Sequence, residues 1–248
     1  MKKYFFLFIF ILSLALIKTI FRLEKKPLIY RVQGSFSNVI SAPHDGYELY
    51  TGKIAHEISS SLKWGLVIAK YYRAPSINRW INVNRPTEKF FRDGKLSKAI
   101  KTKKAVAVFQ QYLKNIKQAS KSNISILVEI HGHNRKYPKS HEFISSIEVT
   151  SKGFTYEELL ILASNYKEVV SRQQPHTIFP LQVDYLLTES QINYSAQKAK
   201  TIGIFNQDFI HKSLHFELPK KLRTNDVLRK QYTKILIKLL HNLQQRSS

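Results

Sequence analysis

Apolar and polar positions alternate along most of the chain in two distinguishable periods. Asn38–Ala42 is a short β-branched apolar run that stops at Pro43, which predicts a strand. Lys53–Lys63 places Ile54, Ile58 and Leu62 four apart, one face of a helix. Leu66–Tyr72 returns to strand character, and Lys104–Lys117 sets Val106, Phe109, Leu113 and Ile116 on a helical stripe. Ile124–Ile130 is the most continuous apolar run of the body, as expected of a strand buried on both faces. Thr155 and Glu158 stand at capping-box spacing and open a helix over Thr155–Val170. Thr201–Phe205 and Leu214–Leu218 are predicted strands. Asn225–Gln245 closes the chain as a helix with Leu228, Ile235, Leu239 and Leu243 on its apolar face. Strands alternating with helices imply an α/β fold, a mixed and mostly parallel central sheet covered by helices. No repeat and no Pro/Gly/Ser-rich linker divides residues 22–248, so they are expected to form a single domain.

The first residues follow another rule. Lys2 and Lys3 precede Tyr4–Ile17, in which Ser13 is the one polar residue, and Lys18, Arg22, Lys25 and Lys26 follow. A basic start and a short apolar run describe a signal peptide over residues 1–21, with Ala15 as a possible cleavage point. The alternative is a retained N-terminal anchor that tethers the chain to a membrane. Either predicts a domain working outside the cytoplasm, periplasmic or extracellular.

Composition narrows the partners. The 248 residues carry 40 Lys and Arg against 17 Asp and Glu, a net charge of +23 that attracts anions. Cysteine is absent, which removes disulfides, thiolate metal sites and a cysteine nucleophile. The densest basic segment, Arg92–Lys104, holds Arg92, Lys95, Lys98, Lys101, Lys103 and Lys104 against Asp93. No stacking pattern or nucleic-acid motif accompanies it, so it is expected to be a solvated surface and no nucleic acid is expected as a partner. A basic exported protein that binds an anionic polymer or a membrane surface is the alternative class of function.

In sheets of this kind, sites form beyond the carboxyl ends of strands. His44 and Glu48 follow the first body strand; Asn84 and Arg85 come after the second. His131 and His133 end the most buried strand, and Glu217 lies in the last one. Two imidazoles and a carboxylate, with a position left for water, make a catalytic zinc arrangement. His44 and Glu48 can share an ion if the loop curls at Gly46, with His131 supplying a third ligand. Glu217, acidic in an apolar strand, is the candidate general base, and the planar Arg85 fork can hold a substrate carboxylate. Glu129 shares a strand side with His131 and can orient it.

The order of these residues carries a resemblance. Ser41-Ala42-Pro43-His44-Asp45-Gly46 is followed by Val83-Asn84-Arg85-Pro86, then Glu129-Ile130-His131-Gly132-His133, then Phe216-Glu217-Leu218 with Leu222-Arg223 behind. This series, over about residues 36 to 223, resembles the zinc carboxypeptidases and, more closely, the N-formylglutamate amidohydrolase-like family. The resemblance implies a phosphorylase/hydrolase-like α/β sandwich with one zinc ion per chain, cleaving an amide bond next to a carboxylate. It implies His44, Glu48 and His131 as metal ligands, Asn84 and Arg85 as a carboxylate clamp, and Glu217 as the base. The substrate would be a small acidic compound or a short peptide with a free carboxylate. Three residues separate His44 from Glu48 where the carboxypeptidases have two, which leaves Asp45 as a competing ligand. Gly132 replaces the family's usual serine, Glu129 its aspartate, so His133 remains an alternative third ligand. Val83 stands where an acid usually precedes Asn-Arg. A member that keeps the fold without catalysis remains open at this level.

Overall fold

The computed structural model describes residues 26–74, 78–92, 95–136, 140–186 and 195–247. The signal or anchor segment 1–21 and Asp93 lie outside the described residues.

Seven strands form the central sheet: β1 (Leu28–Val32), β2 (Val39–Asp45), β3 (Gly65–Lys70), β4 (Ile124–His133), β5 (Ile147–Lys152), β6 (Leu181–Val183) and β7 (Ile210–Pro219). Their order is β1-β3-β2-β4-β7-β5-β6. The four inner strands β3, β2, β4 and β7 run parallel. β1 joins β3 and β5 joins β7 antiparallel, while β6 is parallel to β5. The sheet is therefore mixed with a parallel centre, as the strand–helix alternation predicts.

Helices cover both faces: α1 (Thr51–Leu62), α2 (Lys103–Ala119), α3 (Tyr156–Gln173), α4 (Gln197–Ile202), α5 (Lys220–Thr224) and α6 (Asp226–Ser247). Thr155 caps α3 through the expected reciprocal pair with Glu158. One apolar cluster joins α1, α3 and α6 to Ile40, Ile126, Val128, Ile130, Leu214, Phe216 and Leu218. The second joins α2 to Val39, Val67 and Leu127. The side-chain period of two in a strand explains how polar residues enter this interior. In β4, Ile126, Val128 and Ile130 face the first cluster, so Leu127, Glu129, His131 and His133 face the other way. In β7, Leu214, Phe216 and Leu218 likewise leave Ser213, His215 and Glu217 on that second face. The polar row is continuous across the two strands: Glu129 pairs with His215 and His131 with Glu217.

Two expectations change. Thr201–Phe205 is not a strand: α4 ends at Ile202, and Ile204–Asn206 makes a turn of 3₁₀-helix after Gly203. The apolar run instead buries Ile204 and Phe205 under the second cluster, and the Ile204 amide bonds the Asn84 carbonyl at 2.9 Å. On α2 the buried stripe is rotated, with Ala105 and Tyr112 joining Phe109, Leu113 and Ile116 while Val106 is half-buried.

Candidate metal centre

The site lies at the carboxyl ends of the three adjacent parallel strands β2, β4 and β7. β2 ends at Asp45, and the chain curls through Gly46 at a φ of 89°, a conformation in which glycine is favoured. The curl turns Glu48 back beneath His44, and the Glu48 amide bonds the His44 carbonyl at 3.0 Å. His131 arrives from β4. Its ring centroid is 5.0 Å from that of His44, although 87 positions separate them in sequence. Ligating atoms of His44, Glu48 and His131 all fall within 4.8 Å of one another, and all three residues are buried.

Each member is held by neighbours. Glu48 Oε2 accepts from the Gly132 amide at 3.0 Å and lies 3.3 Å from His131 Nδ1. Glu48 Oε1 accepts from Arg73 at 2.8 Å. On the far side of His131, Nε2 is 3.2 Å from Glu129 Oε2. Glu129 is fully buried and is met by the Tyr112 hydroxyl at 3.0 Å and the Asn84 amide at 3.0 Å. His215 stacks on His131 with centroids 4.0 Å apart. It also bridges to Glu217, whose Oε1 is 3.1 Å from His215 Nε2. Glu129, His131 and His215 form a second cluster of potential ligands that shares His131 with the first.

These contacts fix the charge states. Burial would lower the His131 pKa, but the carboxylates of Glu48 and Glu129 on either side raise it to about 10. Burial would raise Glu129, but the imidazoles of His131 and His215 bring it down to about 2. Glu217 follows the same logic: burial opposes ionisation, and His215, His131 and Arg135 hold it at about 2. His44 is pushed well below 6.5 by burial, then by the charges of Arg73, His131 and Arg85. A neutral His44, two carboxylates and a second imidazole, His131, which gives up its proton when a metal ion takes its place between the carboxylates, make a donor set suited to zinc. Among the described residues His44 Nδ1 is buried with no hydrogen-bond partner, so this ring is held only on its Nε2 side. The residues present therefore fit the group.

The centre opens into a cavity of about 620 Å³. Glu48, His131 and Glu217 line it, together with the cationic Arg73, Arg135, Lys220 and Arg223. Glu217 thus faces the same space as two members of the trio.

The remaining sequence candidates sit as follows. Asp45 turns away to the start of α1, accepting from the Gly52 amide at 3.1 Å and pairing with Lys70 at 3.1 Å. His133 also lines the cavity, with Nε2 3.1 Å from the Ser146 carbonyl. Asn84 holds Glu129, and Arg85 is close enough for its charge to act on His44; neither lines the cavity. The sequence singled out none of Arg73, His215 and Tyr112. His215 could have been found from its spacing of two from Glu217, which puts both on one side of a strand. Arg73 carries no such signal, because a short hairpin (Arg73–Ala74 against Arg79–Asn82) brings it in.

Fold and site together define a three-layer α/β protein with a buried histidine–carboxylate centre at the end of its parallel strands. Solved structures share this architecture. It is similar to the gene product Atu2144 of Agrobacterium tumefaciens (TM-score 0.54, 10% identity, covering 89% of this chain and 96% of that one). It is similar also to YNDL, solved in a zinc-free apo form (TM-score 0.53, 12% identity, 87% and 90%). A bacteriophage poly-γ-glutamate hydrolase gives TM-score 0.51 at 10% identity, with 92% and 95% covered. At such identities the likeness is one of fold. No family model matches the chain, and no curated protein does.

Proposed function

We propose that the protein is a zinc-dependent hydrolase that cleaves an amide bond next to a carboxylate, with a small acidic compound or short peptide as substrate. The observation that carries this reading is the convergence of His44, Glu48 and His131 beside a cavity that Glu217 also faces. His44, Glu48 and His131 hold the ion, one per chain. Zinc, when bound, supplies an electrophile for the carbonyl and acidifies water towards a pKa of about 7.

This chain's residues do the rest. Glu217, ionised at neutral pH, orients the water and relays its proton to the leaving nitrogen, a role for which the imidazoles that hold its pKa at about 2 make it a weak base. Glu129 fixes the His131 ring through Nε2, so that Nδ1 faces Glu48 and the centre. Arg73, Arg135, Lys220 and Arg223 give the cavity a positive field that favours an anionic substrate, with Lys220 exposed at its mouth. Arg85, whose charge reaches His44, is kept as the proposed partner for a substrate carboxylate. The likeness in fold to a poly-γ-glutamate hydrolase supports γ-linked glutamyl peptides as the first substrates to try, with N-acylglutamates beside them.

Purified protein should bind about one zinc ion, and His44→Ala or His131→Ala should abolish binding. Glu217→Gln should retain the metal and lose turnover. Full zinc occupancy in both histidine variants would remove the site as drawn.

A further inference from the structure

Arg73 makes a contact that zinc binding cannot leave in place. Its guanidinium reaches three side chains at once: Glu48 Oε1 at 2.8 Å, Asn82 Oδ1 at 2.7 Å and His44 Nε2 at 2.6 Å. A guanidinium only donates, so His44 Nε2 must present its lone pair to Arg73. A neutral imidazole has one such lone pair. The hydrogen of His44 therefore sits on Nδ1, where it is buried with no acceptor among the described residues.

From this geometry we infer that Arg73 is a resident cation of the metal centre, and that it and the metal ion compete for His44. The inference rests on the zinc reading above. Coordination through Nε2 displaces Arg73 directly. Coordination through Nδ1 moves the ring hydrogen to Nε2, which then confronts a guanidinium N–H at a distance where both groups donate. Whichever nitrogen binds, the Arg73–His44 bond is lost. The Glu48 contact is not exclusive in this way, because it uses Oε1 while Oε2 faces His131. Displaced from His44, Arg73 keeps Asn82 and the ring of Trp80, 5.6 Å from its guanidinium carbon. Arg73 thereby lowers the metal affinity of the site, because loading has to break its bond to His44.

The test is zinc affinity, by competition with a chromogenic chelator, for wild type, Arg73→Met and Arg73→Lys. Arg73→Met preserves length but removes donor and charge. It should bind zinc about tenfold more tightly or better, since one charge-assisted hydrogen bond no longer has to be given up. Arg73→Lys keeps a charge but lacks the fork that spans His44 and Glu48, so its affinity should fall between the two. Far-UV circular dichroism establishes that each variant is folded. Equal affinities in all three proteins, or weaker binding by Arg73→Met, overturn the competition while leaving the zinc site intact. Failure of all three to bind zinc removes the site, and the competition with it. Binding by Arg73→Met but not by wild type would be the strongest form of the expected result.

Discussion

Glu129→Gln is the substitution that separates packing from charge at this centre. The Glu129 carboxylate takes the Tyr112 hydroxyl on Oε1, and the Asn84 amide and His131 Nε2 on Oε2, at 3.0, 3.0 and 3.2 Å. Glutamine has the same shape. With its carbonyl oxygen in the Oε2 position it still accepts from Asn84 and His131. Its NH₂ group then faces Tyr112, whose hydroxyl can turn to accept. No cavity opens and the apolar packing is unchanged; the Tyr112 hydroxyl hydrogen loses its carboxylate acceptor, a cost of one buried hydrogen bond that the fold should withstand. What disappears is the charge that fixes His131. Charge-assisted hydrogen bonds are about twice as strong as neutral ones, so each of these bonds should weaken by about 1 kcal/mol. Outer partners of ligating histidines are typically worth about 10–100-fold in metal affinity, or roughly 1.4–3 kcal/mol. Glu129→Gln should therefore weaken zinc binding by that factor in a chelator-competition titration, while its circular dichroism stays that of wild type. Tyr112→Phe, which removes a neutral donor and leaves the charge, serves as the control and should change affinity about threefold or less. Zinc affinity of Glu129→Gln within twofold of wild type would refute the role given to this carboxylate.

Two further predictions concern the protein around the site. A Cβ added at Gly132 would stand 2.2 Å from Arg223 Cζ, and Arg223 cannot retreat without abandoning the carbonyls of Leu218, Leu49 and His133. Gly132→Ala should thus destabilise the fold by about 2 kcal/mol or more, read as a lowered urea midpoint; an unchanged midpoint would mean that Arg223 is not locked. The pH dependence of the metal-free protein follows from the same buried network. Glu129 and Glu217, lowered from 4.5 to about 2, contribute stability above pH 4.5 that is lost as pH falls through 2. His131, raised from 6.5 to about 10, contributes below pH 6.5 and loses its contribution as pH rises through 10. In chelator, urea midpoints should peak between these limits and fall towards both pH 3 and pH 9. A flat profile would argue against the His131–carboxylate pairing.

Periodicity in the chain was sufficient for the architecture. Apolar runs marked β2, β4 and β7, periodic stripes marked α1 and α6, and a capping box marked α3; burial of a continuous apolar face is a local property of sequence. The same principle failed at Thr201–Phe205, where five residues are too few to distinguish a strand from a helix end, and Gly203 allows the latter. Charge and motif order pointed to His44, Glu48, His131 and Glu217, each just beyond or within a predicted strand. Position along the chain does not say which side chains meet. That was decided by strand order: β2, β4 and β7 lie side by side, so their carboxyl ends bring together residues 44, 131 and 217. The register of β4 on β7 added His215 opposite Glu129, and the packing of α2 added Tyr112. Asn84 became a partner of Glu129, and Asp45 an acceptor for the Gly52 amide in the first turn of α1. Arg73 entered from a hairpin with no pattern of its own. Local sequence determines which face of an element is apolar; the hydrogen bonds of a buried charge come from elements distant in sequence, and only the packed sheet selects them.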